Sequence, residues 1–179
     1  MVSGKGCIGF NSGSIGEATV TGAGSQWSNS GNLLVGYEGD GVLNVEAGGM
    51  VSLSRDGSIL GASPGSTGLA TIIGANSTWS NRKGLYIGGN NSGTGGTGIL
   101  NIVDSGLVTV GKTTKLWSDG TINLDGGTLD VGVLHMAIQG KHIQAQVTRI
   151  PRLQTGGHNR RQDQGRGVGK AENGVAGVS

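Results

Sequence analysis

The chain has 179 residues, of which 39 are glycine and only six are aromatic, and its formal net charge is +2. Few large side chains are present to fill a broad globular core, and with 2 prolines and no triplet period the chain is not collagen. The β-branched runs Ala18–Thr21, Val42–Val45 and Ile99–Ile102 exclude general disorder for most of the length.

The total charge hides an asymmetry. Residues 1–137 carry six Lys/Arg against nine Asp/Glu, a balance of −3, and the remainder carries seven against two, a balance of +5. Cys7 is the single cysteine, so neither an intrachain disulfide nor a two-cysteine zinc site can form, and the redox compartment stays open. Met1–Gly6 lacks the apolar stretch of a signal peptide, and no run approaches the roughly 20 apolar residues of a membrane helix. The chain is therefore expected to carry no signal peptide and no transmembrane segment of its own.

In chain order, a first unit begins near Ile8 and a second near Leu60. Ala18-Thr19-Val20 returns as Ala70-Thr71-Ile72, Gly22 to Asn29 as Gly74 to Asn81 with Trp27 matching Trp79, and Leu33 to Gly36 as Leu85 to Gly88. Each pair is 52 residues apart; a five-residue insertion around Gly89–Gly96 widens the interval to 57, after which Val42–Val45 matches Ile99–Ile102. A partial third copy near residue 116 is expected, in which Thr121–Gly127 echoes Leu43–Gly49 in type. Such self-similarity marks a repeat architecture.

Within each unit apolar residues alternate, as in Leu43, Val45, Val51 and Leu53, which predicts short strands with one face buried. Gly and Asn punctuate them where sharp corners need positive φ, with Gly36 and Gly88 at matching positions. Solenoid, propeller and sandwich compete. The solenoid is favoured because stacked coils need only a thin aliphatic core, with Leu falling over Leu and Asn over Asn.

The succession Thr19–Trp27, Leu33–Gly36, Gly41–Val51 and Ile59–Gly61 resembles the autotransporter-associated repeat of type V secreted passenger regions, a related form of which occurs in PEP-CTERM surface proteins. The likeness runs from about Ile8 to about Val133. It implies a right-handed parallel β-helix displayed outside the cell as a rigid spacer or adhesive surface, and it carries over no catalytic residues. The family's export signal and β-barrel translocator have no counterpart in this sequence, so the chain is expected to be a fragment.

Parallel β-helices also host polysaccharide-active enzymes that cluster carboxylates in a groove. Glu38 with Asp40, or Asp119 with Asp125 and Asp130, are the candidates here; beside glycine they read better as turn caps, and the loop replacing Glu38 and Asp40 in the second copy has no carboxylate. A calcium-binding nonapeptide is approached only by Gly126–Asp130, which lacks a glycine and misplaces the aspartate. Gly93–Gly98 lacks the Lys-Ser/Thr ending of a phosphate loop. Trp27 and Trp79 read as structural residues at a corner, covering the edge of the core, ahead of a reading as sugar-stacking platforms. Asn44, Asn101 and Asn123 are expected to stack as an amide ladder.

From about Ile138 the repeat grammar stops. Residues 138–179 read as a basic low-order tail that is a linker, an anion-binding arm or, the reading favoured here, out-of-frame translation or the scar of a truncated gene. No aromatics are interleaved with its charges, so specific nucleic-acid binding is not expected. The sequence thus yields a solenoid over residues 3–137, no catalytic, cofactor or metal residues, and an extracellular or cell-surface structural or adhesive role. The alternative is a carbohydrate-binding or carbohydrate-active β-helix. Expected partners are host or surface polysaccharide, or further copies meeting through coil ends.

Overall fold

A computed structural model describes residues 1–136 and the backbone of residues 153–155; the basic-tail readings otherwise lie outside the described residues. The chain opens with β1 (Val2–Ser3) and β2 (Gly6–Ile8), then winds through β3 (Ile15–Thr21), β4 (Gln26–Asn29) and β5 (Leu33–Val35). The next turn is β6 (Asp40–Glu46), β7 (Met50–Leu53) and β8 (Ser58–Leu60), followed by β9 (Thr67–Ile73), β10 (Thr78–Asn81) and β11 (Gly84–Ile87). In the last turns the second and third strands fuse: β12 (Thr97–Val103) leads into β13 (Leu107–Leu116), and β14 (Gly120–Asp125) into β15 (Thr128–Met136). A short β16 (Leu153–Thr155) lies on β15.

Every strand ladder is parallel, and each strand pairs with its counterpart one coil above or below. One wall is the five-stranded sheet β14-β12-β9-β6-β3; the remaining strands form two ladders that merge where β13 runs through the corner. The described residues form an all-β right-handed parallel β-solenoid. A single apolar cluster runs up its axis from Ile8 to Leu134.

The register corrects the expected stacking of like on like. Residues 52 apart are two coils apart, because Trp27 stands under Val51 and Val51 under Trp79. The column continues through Val108 to Leu129. Across the core, Ala18, Leu43, Ala70, Leu100 and Ile122 form a second column. A third column reads Leu33, Ser58, Leu85, Thr114 and Leu134.

The first four coils therefore come in two kinds, and the last, with Leu129, Ile122 and Leu134, matches neither. One kind carries Trp, Ala and Leu at these three positions; the other carries Val, Leu and Ser or Thr. Where the Trp enlarges one wall, the Ala on another gives the volume back, which lets coils of both kinds fill similar cross-sections. The sequence repeat is this pair of coils.

The turns after the five-stranded wall follow the same alternation. Gly22–Ser25 and Gly74–Ser77 bridge the Trp coils, with positive φ at Gly22 and Gly24 and at Gly74 and Asn76. The other coils use a turn one residue shorter, with positive φ at Ala47 and Gly48 and at Asp104 and Ser105. After β14 only Gly126 and Gly127 remain. That shortening corrects the third-copy alignment: Ile122, not Thr121, stands in the Leu43 column, and Asn123 stands over Asn101. A slip of one residue reverses which face a strand side chain occupies.

At the opposite corner the backbones of successive coils nearly touch. Gly36 has φ +71°, and a Cβ there would sit 2.1 Å from the Thr67 carbonyl oxygen. Its N–H donates to the Ile8 carbonyl at 2.8 Å, which holds the corner to the coil below. Left-handed strain and overlap with backbone act together, so Gly36→Ala is expected to cost more than about 3 kcal/mol in urea unfolding. Gly24→Ala, in a turn with nothing within 4 Å, is expected to cost far less.

The volume exchange has its own test. Trp79→Val is expected to cost about 3–5 kcal/mol by leaving a cavity, and Ala70→Leu about 1–3 kcal/mol by overpacking. The double variant should be more stable than the sum of the two by at least about 1 kcal/mol in a double-mutant cycle. Additive losses would show that the two walls do not share the space.

Candidate functional site

Trp27 and Trp79 point inward. Trp79 is fully buried and Trp27 is 7% exposed, so neither presents a ring to solvent. They lie within β4 and β10 and are walls of the core, not lids at a corner.

Each Trp is followed two residues later by a buried asparagine, Asn29 or Asn81, on the same inward face. Around the first, Ser3 Oγ donates to Asn29 Oδ1 and Trp27 Nε1 donates to Ser3 Oγ at 3.2 Å. Around the second, Ser58 Oγ donates to Asn81 Oδ1. Trp79 Nε1, Asn81 Nδ2 and Thr114 Oγ1 are buried without partners. The column through Asn81 holds Leu53 below and Val110 above, so an apolar side chain fits the same channel.

The three exterior asparagines do not form one ladder. Asn123 Nδ2 donates to Asn101 Oδ1 at 2.8 Å and Asn101 Nδ2 reaches Thr71 Oγ1 at 3.5 Å, but Thr71 stands between Asn101 and Asn44. Asn44 instead donates to Glu17 Oε1 at 2.9 Å, one coil lower. The alternation of coils separates them.

Gly36 and Gly88 occupy equivalent corners, each with positive φ. Glu38, Asp40, Asp119, Asp125 and Asp130 are all exposed. Among the described residues no three His, Cys, Asp or Glu side chains converge on a point. A shallow groove of about 430 Å³ crosses β10, β13 and β15, with Ser80, Arg82, Thr109 and Asp130 on its walls.

Two exterior features escaped the reading of motifs. At the corner that follows β2 and β5, the rings of Phe10 and Tyr37 stack with centroids 5.2 Å apart and planes 11° from parallel. Lys5 Nζ lies 6.0 Å and 5.8 Å from the two centroids. The signal was present in the matching places of Gly9-Phe10 and Gly36-Tyr37, one residue past a corner glycine. Higher up, Trp117 Nε1 and Lys115 Nζ donate to the Asn90 and Asn91 carbonyls, bracing the loop that holds the five-residue insertion.

Similarity covers part of the chain. Over 104 residues it is 40% identical to a protein of Escherichia coli (strain K12) named uncharacterized lipoprotein YdeK, a match that takes in 52% of this chain and 7% of that relative. No family model matches the sequence and no solved structure matches the fold. The described residues contain no helix long and apolar enough to cross a membrane.

The buried polar cluster gives a stability prediction. Asn81→Leu together with Ser58→Ala removes both partners of a hydrogen bond and an unpaired amide, and thermal unfolding should move to higher temperature. Asn81→Leu alone leaves the Ser58 hydroxyl buried without an acceptor and should gain less than the pair.

Proposed function

We propose that this chain is a non-enzymatic segment of a bacterial cell-surface protein of the autotransporter passenger type, serving as a rigid spacer whose outer walls are available for adhesion. The observation that carries this reading is the continuous core built from a two-coil unit. Stability in such a rod is a sum of nearest-neighbour contacts, so length is gained by adding units and no single coil has to be sacrificed to a site. Five strands in the β3–β14 wall give a rod of roughly 24 Å at a strand spacing of about 4.8 Å. The resemblance of Thr19–Gly61 to the autotransporter-associated repeat supports the passenger assignment. The name lipoprotein given to the similar Escherichia coli protein points to the same envelope setting.

A second reading, carbohydrate binding, is favoured by the stack of exposed Phe10 on half-buried Tyr37 beside Lys5, since aromatic faces and a neighbouring donor are what a sugar ring engages.

An epitope inserted after Ser92, in the solvent-exposed insertion loop, separates location from structure. In cells making the natural protein, antibody should label the epitope without permeabilisation; labelling only after permeabilisation would sink the surface assignment. Retention of the purified chain on neutral or acidic polysaccharide, lost in the Phe10→Ala/Tyr37→Ala variant, would favour the second reading.

A further inference from the structure

Charge is sorted around the cross-section of the solenoid. Of the six lysines and arginines in residues 1–136, five lie at the corner where the two merged ladders meet: Lys5, Arg55, Arg82, Lys83 and Lys112. Seven of the nine carboxylates lie on the five-stranded wall or in the turns that bound it, leaving Asp56 and Asp130. The basic corner does not touch that wall, so the two signs of charge face apart.

Four of these cations occupy three successive levels. Arg55 stands between β7 and β8, Arg82 and Lys83 between β10 and β11, and Lys112 where β13 passes through the corner. At a strand spacing of about 4.8 Å, Arg55 and Lys112 are about 10 Å apart along the axis. All four are exposed. Lys83 pairs with Asp56 at 2.8 Å, whereas among the described residues Arg55, Arg82 and Lys112 have no carboxylate partner.

The shallow groove across β10, β13 and β15 runs along this corner, and the register shows how it arises. Above Arg82 stand Gly111 and Gly132, where a Cβ would come 2.6 Å from the Arg82 carbonyl oxygen and 2.7 Å from the Lys112 carbonyl oxygen. The strand β13 is bulged here, with Gly111 and Lys112 opposite the single residue Gly132. Two levels of bare backbone thus form a trough above Arg82. Beside it runs the outward column of Ser80, Thr109 and Asp130. Thr109 donates to Ser80 Oγ at 3.0 Å, and among the described residues the Ser80 proton has no acceptor and the exposed Asp130 carboxylate no donor.

This mixture of groups selects the ligand. Exposed cations on successive levels suit a chain of repeated negative charge, and an arginine fork matches a carboxylate or phosphate. Asp130, on the same trough, repels a chain that carries only phosphate or sulfate, but it accepts from hydroxyls. Single-stranded nucleic acid stacks its successive bases on aromatic rings. Among the described residues the corner offers only Tyr86, half-buried and folded over Gly84, where a Cβ would come 2.8 Å from its hydroxyl. A glycan whose rings carry both carboxylate and hydroxyl satisfies every group.

We propose that the basic corner is a binding site for a linear carboxylate-bearing polysaccharide, a uronate chain lying along the axis of the rod. Arg82 and Lys112 hold its carboxylates, and Arg55 extends the contact one level down. Ser80 donates to hydroxyls of the sugar rings and Asp130 accepts from them. This rests on reading the outer walls as adhesive surfaces, and it uses a different corner from the Phe10–Tyr37 stack.

Binding of the full chain to immobilised polygalacturonate tests the site, with dextran, polyphosphate and a single-stranded oligodeoxynucleotide as comparison probes. The chain should bind polygalacturonate and not dextran. Arg82→Gln/Lys112→Gln should weaken binding by about tenfold or more without moving the thermal midpoint, since both side chains are exposed. Arg82→Lys/Lys112→Arg, which keeps the charges, should stay within about threefold of the unaltered chain. Asp130→Ala should weaken binding to polygalacturonate by about threefold while strengthening binding to polyphosphate. Phe10→Ala/Tyr37→Ala, and Arg160→Gln/Arg161→Gln in the basic tail, should each leave polygalacturonate binding unchanged.

No binding to polygalacturonate, or undiminished binding by Arg82→Gln/Lys112→Gln, would overturn the proposal. So would a loss found in the Phe10/Tyr37 or the tail variant instead, or tighter polygalacturonate binding by Asp130→Ala, which would mark mere attraction between opposite charges. A larger loss on the oligodeoxynucleotide than on polygalacturonate in Arg82→Gln/Lys112→Gln would assign the corner to nucleic acid and overturn it as well. None of these outcomes depends on where the protein resides, so failure here is separable from failure of the surface assignment.

Discussion

Each coil must sit one strand spacing above the last, about 4.8 Å, and that single distance governs the molecule. No side chain from a neighbouring level can reach far into a coil's own slice, so every coil must fill its cross-section from its own residues. The slice is thin, which is why a chain with six aromatic residues suffices. It is also why the corner at Gly36 has no room for a Cβ: the carbonyl of Thr67 in the next coil is already there. The exchange of Trp79 and Ala70 for Val108 and Leu100 is the same constraint expressed in volume.

Backbone bonding along the axis follows from that spacing as well. Corner amides at Gly36, Gly61 and Gly88 each donate to the coil below, so ladder order persists where the strands end. Polar side chains add little to this. The Lys83–Asp56 ion pair at 2.8 Å is exposed, and pairs of that kind contribute at most about 1 kcal/mol. The buried Asn81 amide, with one atom unpaired, is a place where the core is not optimised for stability.

Much of the fold was legible in the residues. Alternation in Leu43, Val45, Val51 and Leu53 identified the inward faces, and the spacing of glycines identified the corners, because period-two burial and positive φ are local properties. What was not legible was how many coils one repeat makes. A 52-residue interval is compatible with one large turn or two small ones, and only pairing between distant strands decides it. Once Val51 is placed between Trp27 and Trp79, the asparagine ladder breaks at Thr71 and the third copy moves by one residue. The Phe10–Tyr37 stack was missed for a related reason: the two rings lie 27 positions apart, an interval meaningful only after the coil length is known. Carboxylates such as Asp40 and Asp125, weighed as candidate acids, lie exposed and apart: both belong to the five-stranded wall, but Asp40 opens β6 and Asp125 closes β14, at opposite ends of strands on different levels.

The pairing of unlike coils has a consequence for how such a chain changes over generations. A duplication or deletion of one coil would set two levels of the same kind against each other, Trp over Trp with Ala over Ala, or Val over Val with Leu over Leu. A change of two coils, the 52-residue interval from Trp27 to Trp79, keeps the observed alternation of levels.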